Sequence, residues 1–282
     1  RHPCQRQLCP HPGMTPTLPG LLAIVLYLIA GVLQLTRLLR AEADVGCQRN
    51  QVMMTGLAAV IIHGSILYPA LITPSGLNIG IFYAASLVTM TTALLLLLAM
   101  LAEPVDNLGI PVFPAAALCI GLTLLFPQPH IINSITTWQL DLHILASLLA
   151  YSILGLAVLQ ALLLAIQDQH LRNRNPGGFI RALPPLQTME SLLFQMIAAG
   201  FALLTLALIS GTLFLEDMFA QHLAHKTILS FIAWVVFAIL LWGRWRFGWR
   251  GRIAIRWTIG GFLFLMISYF GSKFVLELII GR

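Results

Sequence analysis

The sequence predicts an all-α fold, a polytopic membrane helix bundle with about eight transmembrane helices, and three observations predict it. Hydrophobic residues fill 59% of the 282 positions and charged residues only 9%, where a soluble domain carries about 25% charged residues. The charges are gathered between long apolar stretches, eight of which approach the roughly 20 residues that cross a bilayer. Ten Asp and Glu with sixteen Lys and Arg are too few to cover a soluble surface, so most of the chain faces lipid or itself.

The first apolar stretch, 18–39, reads as a retained helix. It lacks the basic region that precedes a signal peptide and no small-residue cleavage pattern follows it. Residues 1–13 hold Pro, Cys and His without periodicity and read as a non-native or disordered extension ahead of a single transmembrane domain, 14–282. The second and third stretches, 51–72 and 79–101, are parted only by Thr73 to Asn78, where Pro74 and Gly76 stop one helix before the next begins. That spacing predicts a tight helical hairpin. The remaining stretches run over 110–126, 139–167, 191–215, 227–242 and 253–280, the first and fourth of these being short. The 168–190 connection contains Asn175-Pro176-Gly177-Gly178 and Pro184-Pro185, the composition of a loop, and is too short for a domain.

The formal charge of +6 would point to nucleic acid in a soluble chain; here its meaning depends on position relative to the spans. Arg37, Arg40, Arg49, Arg172, Arg174, Arg181, Arg244, Arg246, Arg250, Arg252 and Arg256 all fall in connections after odd-numbered spans. Positive residues in short loops stay on the cytoplasmic side, so both termini are predicted to be periplasmic. Lys226, Lys273 and Arg282, with Arg1 and Arg6, lie opposite. Trp242, Trp245, Trp249 and Trp257 flank the last basic loop, at the headgroup level that indoles prefer. The arginines read as a topology anchor that meets anionic lipid, and nucleic acid is not an expected partner.

Nucleophile-elbow, phosphate-loop and metalloprotease patterns do not occur between the spans, and no carboxylate pair lies inside one. Catalytic residues are therefore not assigned, and an enzyme is not the expected class. Ion-coupled transport lacks the intramembrane carboxylate it usually needs. Cys4, Cys9, Cys47 and Cys119 form neither a disulfide framework nor a metal-ligand spacing. His222 and His225, near Glu216 and Asp217, read as a solvated loop rather than a metal site, and His130 and His170 are lone loop histidines.

Histidine is then the ionisable side chain left deep in hydrocarbon, and neutral imidazole is a good iron ligand. His63 is the thirteenth residue of the second span, close to the bilayer centre. It reads either as a ring hydrogen-bonded between helices or as a haem axial ligand or relay. His143 opens the fifth span after Trp138 and Asp141, and reads either as an interfacial residue at a helix start or as a ligand. At 1.5 Å per residue the two differ in depth by about 12 Å, so both cannot hold one iron from straight helices. One histidine with an external or exchangeable second ligand is the simpler arrangement, with the other histidine free to belong to a relay.

A family resemblance rests on residues along most of the chain. His143 through Ala150-Tyr151 to Ala161, Leu183-Pro184-Pro185-Leu186 with Met189-Glu190 and Leu192, and Gly200 to Thr205 with Ser210-Gly211 resemble the core of the cytochrome c assembly protein family. Trp234, Gly248-Trp249-Arg250-Gly251-Arg252, Gly261-Phe262 and Tyr269-Phe270-Gly271 follow in the family's order. His63, Gly76-Leu77-Asn78-Ile79-Gly80 and Ser86-Leu87-Val88 are similar to its HemX/YpjD-type branch, within a family that also holds CcsA/CcmC-like proteins. The resemblance implies a multi-pass bacterial inner-membrane protein that binds or passes haem during cytochrome c-type biogenesis, with His143 and His63 as candidate haem-iron ligands. The implied partners are membrane lipid, haem and a protein of cytochrome c biogenesis or tetrapyrrole synthesis. The family's tryptophan-rich segment is replaced here by 218–226, which opens a second reading: a haem-free membrane scaffold or regulatory subunit acting through its basic cytoplasmic loops.

Overall fold

The computed structural model describes residues 17–40, 45–73, 76–78, 80–126, 131–132, 138–173, 183–214 and 224–271. The expectations for residues 1–13, His130, Arg174, Asn175-Pro176-Gly177-Gly178, Arg181, Glu216, Asp217, His222, Lys273 and Arg282 lie outside these. Among the described residues the eight expected spans are eight helices: α1 Thr17–Arg40, α2 Val45–Leu71, α3 Ile81–Ala102, α4 Gly109–Leu125, α5 Trp138–Arg172, α6 Leu186–Phe214, α7 Ala224–Phe247 and α8 Arg252–Met266. A π-helical turn, Ile267–Gly271, continues α8. Each helix, with its flanking turns, is long and apolar enough to cross a membrane. Lipid-facing positions such as Leu18, Ile61, Leu118 and Leu213 carry large exposed side chains, as a bilayer solvent requires.

The helices pack in two groups of four. In the first, α1 packs on α2 and α4, and α3 on α2 and α4. Its core holds Tyr27, Leu96, Met100 and Phe113, all fully buried. In the second, α5 lies along α6 and touches α8, and α7 packs on α6 and α8, around Leu154, Leu193, Ile197 and Phe237. The α3–α5 contact joins them, with Ser152 on α5 donating to the Val88 carbonyl at 3.4 Å. Lipid supplies no hydrophobic drive between helices, so close approach through small residues sets the packing. At Gly200 of α6, a Cβ would stand 2.6 Å from Leu154, closer than any real contact, and the missing side chain lets α5 and α6 meet.

The connections differ from expectation in two places. Between α2 and α3 the chain forms a short antiparallel ribbon, β1 Ile72–Thr73 on β2 Gly76–Asn78, extended by β3 Ile131–Ile132 from the α4–α5 connection. The predicted helical hairpin is thus capped by a three-stranded sheet that ties two connections together. Asn78, the last residue of β2, is buried, and its amide donates to the Ala70 carbonyl at 3.2 Å. Between α7 and α8 only four residues intervene. Gly248 (φ 66°) donates to the Arg244 carbonyl at 3.1 Å, the single bond of a left-handed helix stop, and Trp249 reaches back to the Gly243 carbonyl at 3.3 Å. Gly251 (φ 54°) then starts α8.

Charged side chains close the end where the arginines gather. Arg37 of α1 and Arg49 of α2 meet Asp106, in the 3₁₀ turn before α4, at 3.0 and 3.3 Å. Arg49 also donates to the Met100 carbonyl. Glu190 of α6 is buried and accepts from Arg244 of α7 at 2.7 Å, while that guanidinium lies 4.6 Å over the Phe194 ring. Buried Gln160 and Gln167 of α5 donate to the Met189 and Pro184 carbonyls, each at 3.0 Å, holding the start of α6. Trp242 and Trp245 stand exposed at this level, whereas Trp249 and Trp257 turn inward and pack 5.6 Å apart.

Candidate functional site

His63 lies in the middle of α2, fully enclosed at 2% exposure. Tyr27 reaches it from α1, with the hydroxyl 3.3 Å from Nδ1, and Ser86 from α3, with Oγ 2.8 Å from Nε2. A neutral imidazole has one acceptor and one donor nitrogen. Two hydroxyls, each able to give or take a proton, satisfy it in either tautomer. The Tyr27 ring stacks in turn on Phe113 of α4, so the triad links all four helices of the first group. This is the way a polar ring is carried through hydrocarbon at low cost: every hydrogen-bonding atom is matched by a neighbouring helix.

His143 is placed differently. It stands near the start of α5, half-buried, and faces α6. Nδ1 is 2.9 Å from the Ala207 carbonyl oxygen and 3.3 Å from Ser210 Oγ. A carbonyl only accepts, so Nδ1 carries the proton and Nε2 keeps its lone pair. Among the described residues Nε2 makes no hydrogen bond. Ser210 itself donates to the same carbonyl at 3.0 Å. The result is a ring whose orientation and tautomer are set on one side and whose basic nitrogen is available on the other.

The two expected iron ligands therefore belong to separate helix groups and are not brought together. Iron coordination needs a nitrogen lone pair directed at open space, and the buried His63 ring has both nitrogens engaged; an iron ligand does not fit there in this arrangement. The donor set at His143 does fit. Metal-binding histidines characteristically give their other N–H to a carbonyl or carboxylate, which fixes the ring and raises its basicity. Sequence reasoning assigned none of Tyr27, Ser86, Ala207 and Ser210 as a histidine partner, although Ser86 and Ser210 lie in segments that carry the family resemblance. A hydroxyl in an otherwise apolar span is the signal that would have singled out Tyr27, Ser86 and Ser210; the Ala207 carbonyl leaves no trace in sequence.

A family model described as "Cytochrome C assembly protein" matches residues 52–280. The chain belongs to the cytochrome c assembly protein family. It is 33% identical over 267 residues to "Inner membrane protein YpjD" of Escherichia coli strain K12, covering 92% of this chain and 98% of that relative. "Protein HemX" of Brevibacillus brevis is 24% identical over 155 residues, 53% of this chain and 57% of the relative. "Cytochrome c biogenesis protein CcsA" of Gloeobacter violaceus is 29% identical over 103 residues, 36% of this chain and 30% of the relative. No solved structure matches. With the eight spanning helices, these likenesses make the chain a multi-pass inner-membrane protein of the HemX/YpjD branch.

Proposed function

We propose that this protein handles haem during cytochrome c-type biogenesis, with His143 as the residue that meets the iron. One observation carries the reading: Nδ1 of His143 is held on the Ala207 carbonyl, which leaves Nε2 uncommitted at the end of the bundle remote from the arginines. The relatives named for cytochrome c biogenesis support the process, and the family membership supports the class of cargo. Bound haem would supply an iron that accepts a nitrogen ligand, which His143 would provide. The chain's own part is to fix the imidazole tautomer through Ala207, to steady the ring through Ser210, and to present Nε2 without a competing partner. His63, with both nitrogens occupied, serves as the polar tie of the first helix group.

The test is the absorption spectrum of the purified full chain after haem-replete expression. A Soret band is expected, lost in His143→Ala and retained in His63→Ala. A colourless wild-type preparation overturns the proposal, and so does a band that survives His143→Ala.

The alternative, a haem-free scaffold or regulatory subunit, draws on the arginine-rich end, where exposed Arg246, Arg250 and Arg252 stand beside exposed Trp242 and Trp245. A partner protein of cytochrome c biogenesis or tetrapyrrole synthesis would dock there. A colourless chain that captures a partner through this face, and loses it when the arginines are neutralised, selects that reading over the first.

A further inference from the structure

A cleft of about 390 Å³ opens between the last turns of α5 and the first turns of α8, at the arginine-rich end and far from His143. Separated by 25 positions on α5, His143 and Asp168 stand about 37 Å apart along the helix. The cleft is independent of the haem reading above. Its lining brings Arg172, Arg252 and Arg256 around a single carboxylate, Asp168. Asp168 engages the first two through their Nε atoms, at 3.1 and 3.5 Å. Neither guanidinium makes a hydrogen bond through its terminal nitrogens among the described residues, and Arg256 has no ion-pair or hydrogen-bond partner there at all. Three positive groups thus face one negative group, and most of their donors are unspent.

Position along the helices narrows the chemistry. Asn173 and Arg172 line the cleft on the water side, while Ala165 and Ile255 line it toward the hydrocarbon. Next to it on the lipid-facing surface are Leu162, Ile166 and Ile253, large apolar side chains that are each more than two-fifths exposed. Charge, depth and apolar flank together match an anion held at the headgroup level. Forked guanidinium donors suit a phosphate better than a monovalent halide, because two N–H groups can meet two oxygens.

We propose that this cleft binds a phosphate group, either the phosphodiester of an anionic phospholipid or a soluble phosphate. Arg172 and Arg252 are pre-set by Asp168, and Arg256 supplies the uncompensated charge. A general attraction of basic loops to anionic membranes would depend on the number of arginines and not on which one is removed. The site reading makes Arg256 special.

The experiment uses the full chain in detergent with a mixture of phosphatidylglycerol and phosphatidylcholine, read by native mass spectrometry. Arg256→Gln breaks no ion pair among the described residues, and Arg246→Gln removes another exposed charge, one outside the cleft. The proposal expects a phosphatidylglycerol adduct that falls about fivefold in Arg256→Gln and stays unchanged in Arg246→Gln. A parallel arm titrates inorganic phosphate against chloride at matched ionic strength, with melting temperature as readout. A phosphate-specific rise abolished by Arg256→Gln assigns a soluble source, and an adduct without that rise assigns the lipid. Equal effects of the two substitutions, or no preference for phosphatidylglycerol and no phosphate-specific rise, overturn it.

Discussion

The Tyr27 ring stands edge-on to His63, with centroids 5.9 Å apart and planes at 86°, so that its hydroxyl falls against Nδ1. That single contact binds α1 to α2 at the level where a polar atom is most expensive. Ser86 completes the pattern from α3. The contrast with His143 is one of accounting for lone pairs: the first histidine has none left over, the second has one.

His63→Ala should therefore act on stability. It removes the ring and leaves two hydroxyls without partners in hydrocarbon, a loss of about 1–3 kcal/mol. Thermal unfolding of the detergent-solubilised chain should show a lowered midpoint. His63→Gln, which can still give and take a hydrogen bond, should recover part of it. An unaltered midpoint in His63→Ala would show that the triad carries no stability.

Ser210 is the second support of the His143 ring, 3.3 Å from Nδ1 and donating to the Ala207 carbonyl that the ring also uses. Replacing it by Ala keeps the main bond and loosens the ring's orientation. Loss of such a supporting contact typically weakens a metal ligand by about 10–100-fold. Haem titration of Ser210→Ala should give an affinity lowered at least toward the bottom of that range, with His143→Ala beyond it. Equal affinities for Ser210→Ala and wild type would remove Ser210 from the site.

The spans were legible because a bilayer imposes a length: about 20 apolar residues, whatever their order. The ends were less so. The sixth helix starts at Leu186 and not near 191, because Glu190 is neutralised within the structure by Arg244 and need not mark a boundary. The seventh runs to Phe247 and not 242, since Trp245 and Arg246 extend to the interface from a helical backbone. The β1–β2–β3 ribbon was invisible because strands of two or three residues carry no periodicity. At the candidate site the histidines stood out by chemistry, as ionisable rings in apolar spans. Their partners lie 23, 36, 64 and 67 residues away and are brought in by tertiary packing alone.

The Glu190–Arg244 pair offers a test of how the second helix group is held. Glu190 is nearly enclosed, and Arg244 also donates to the Trp249 carbonyl in the turn before α8. Removing one partner leaves the other charge buried, a penalty of about 3–5 kcal/mol for a fully buried pair and less here because Arg244 keeps 30% of its side chain exposed. Glu190→Gln should lower the unfolding midpoint clearly. The double variant with Arg244→Met should lie above the sum of the two single losses, as measured by a double-mutant cycle. Strict additivity would show that the two side chains are not coupled.

The α7–α8 turn gives a prediction that depends on backbone alone. Gly248 and Gly251 both have positive φ, and a Cβ at either would meet no neighbouring atom within 4 Å. Space is therefore not the constraint; conformation is. Gly248, at φ 66°, lies in the left-handed helical region that ends α7 with its two return bonds, and alanine there costs about 1–2 kcal/mol. Gly251 pairs φ 54° with ψ −125°, a combination that L-residues reach only under strain, of about 1–3 kcal/mol. Gly251→Ala should thus destabilise more than Gly248→Ala, although neither touches a neighbour. Asparagine, which tolerates the left-handed region, should rescue position 248 and fail at 251. If both alanine variants melt with wild type, the turn is not held in this geometry, and the placement of Arg252 and Arg256 beside α5 loses its support.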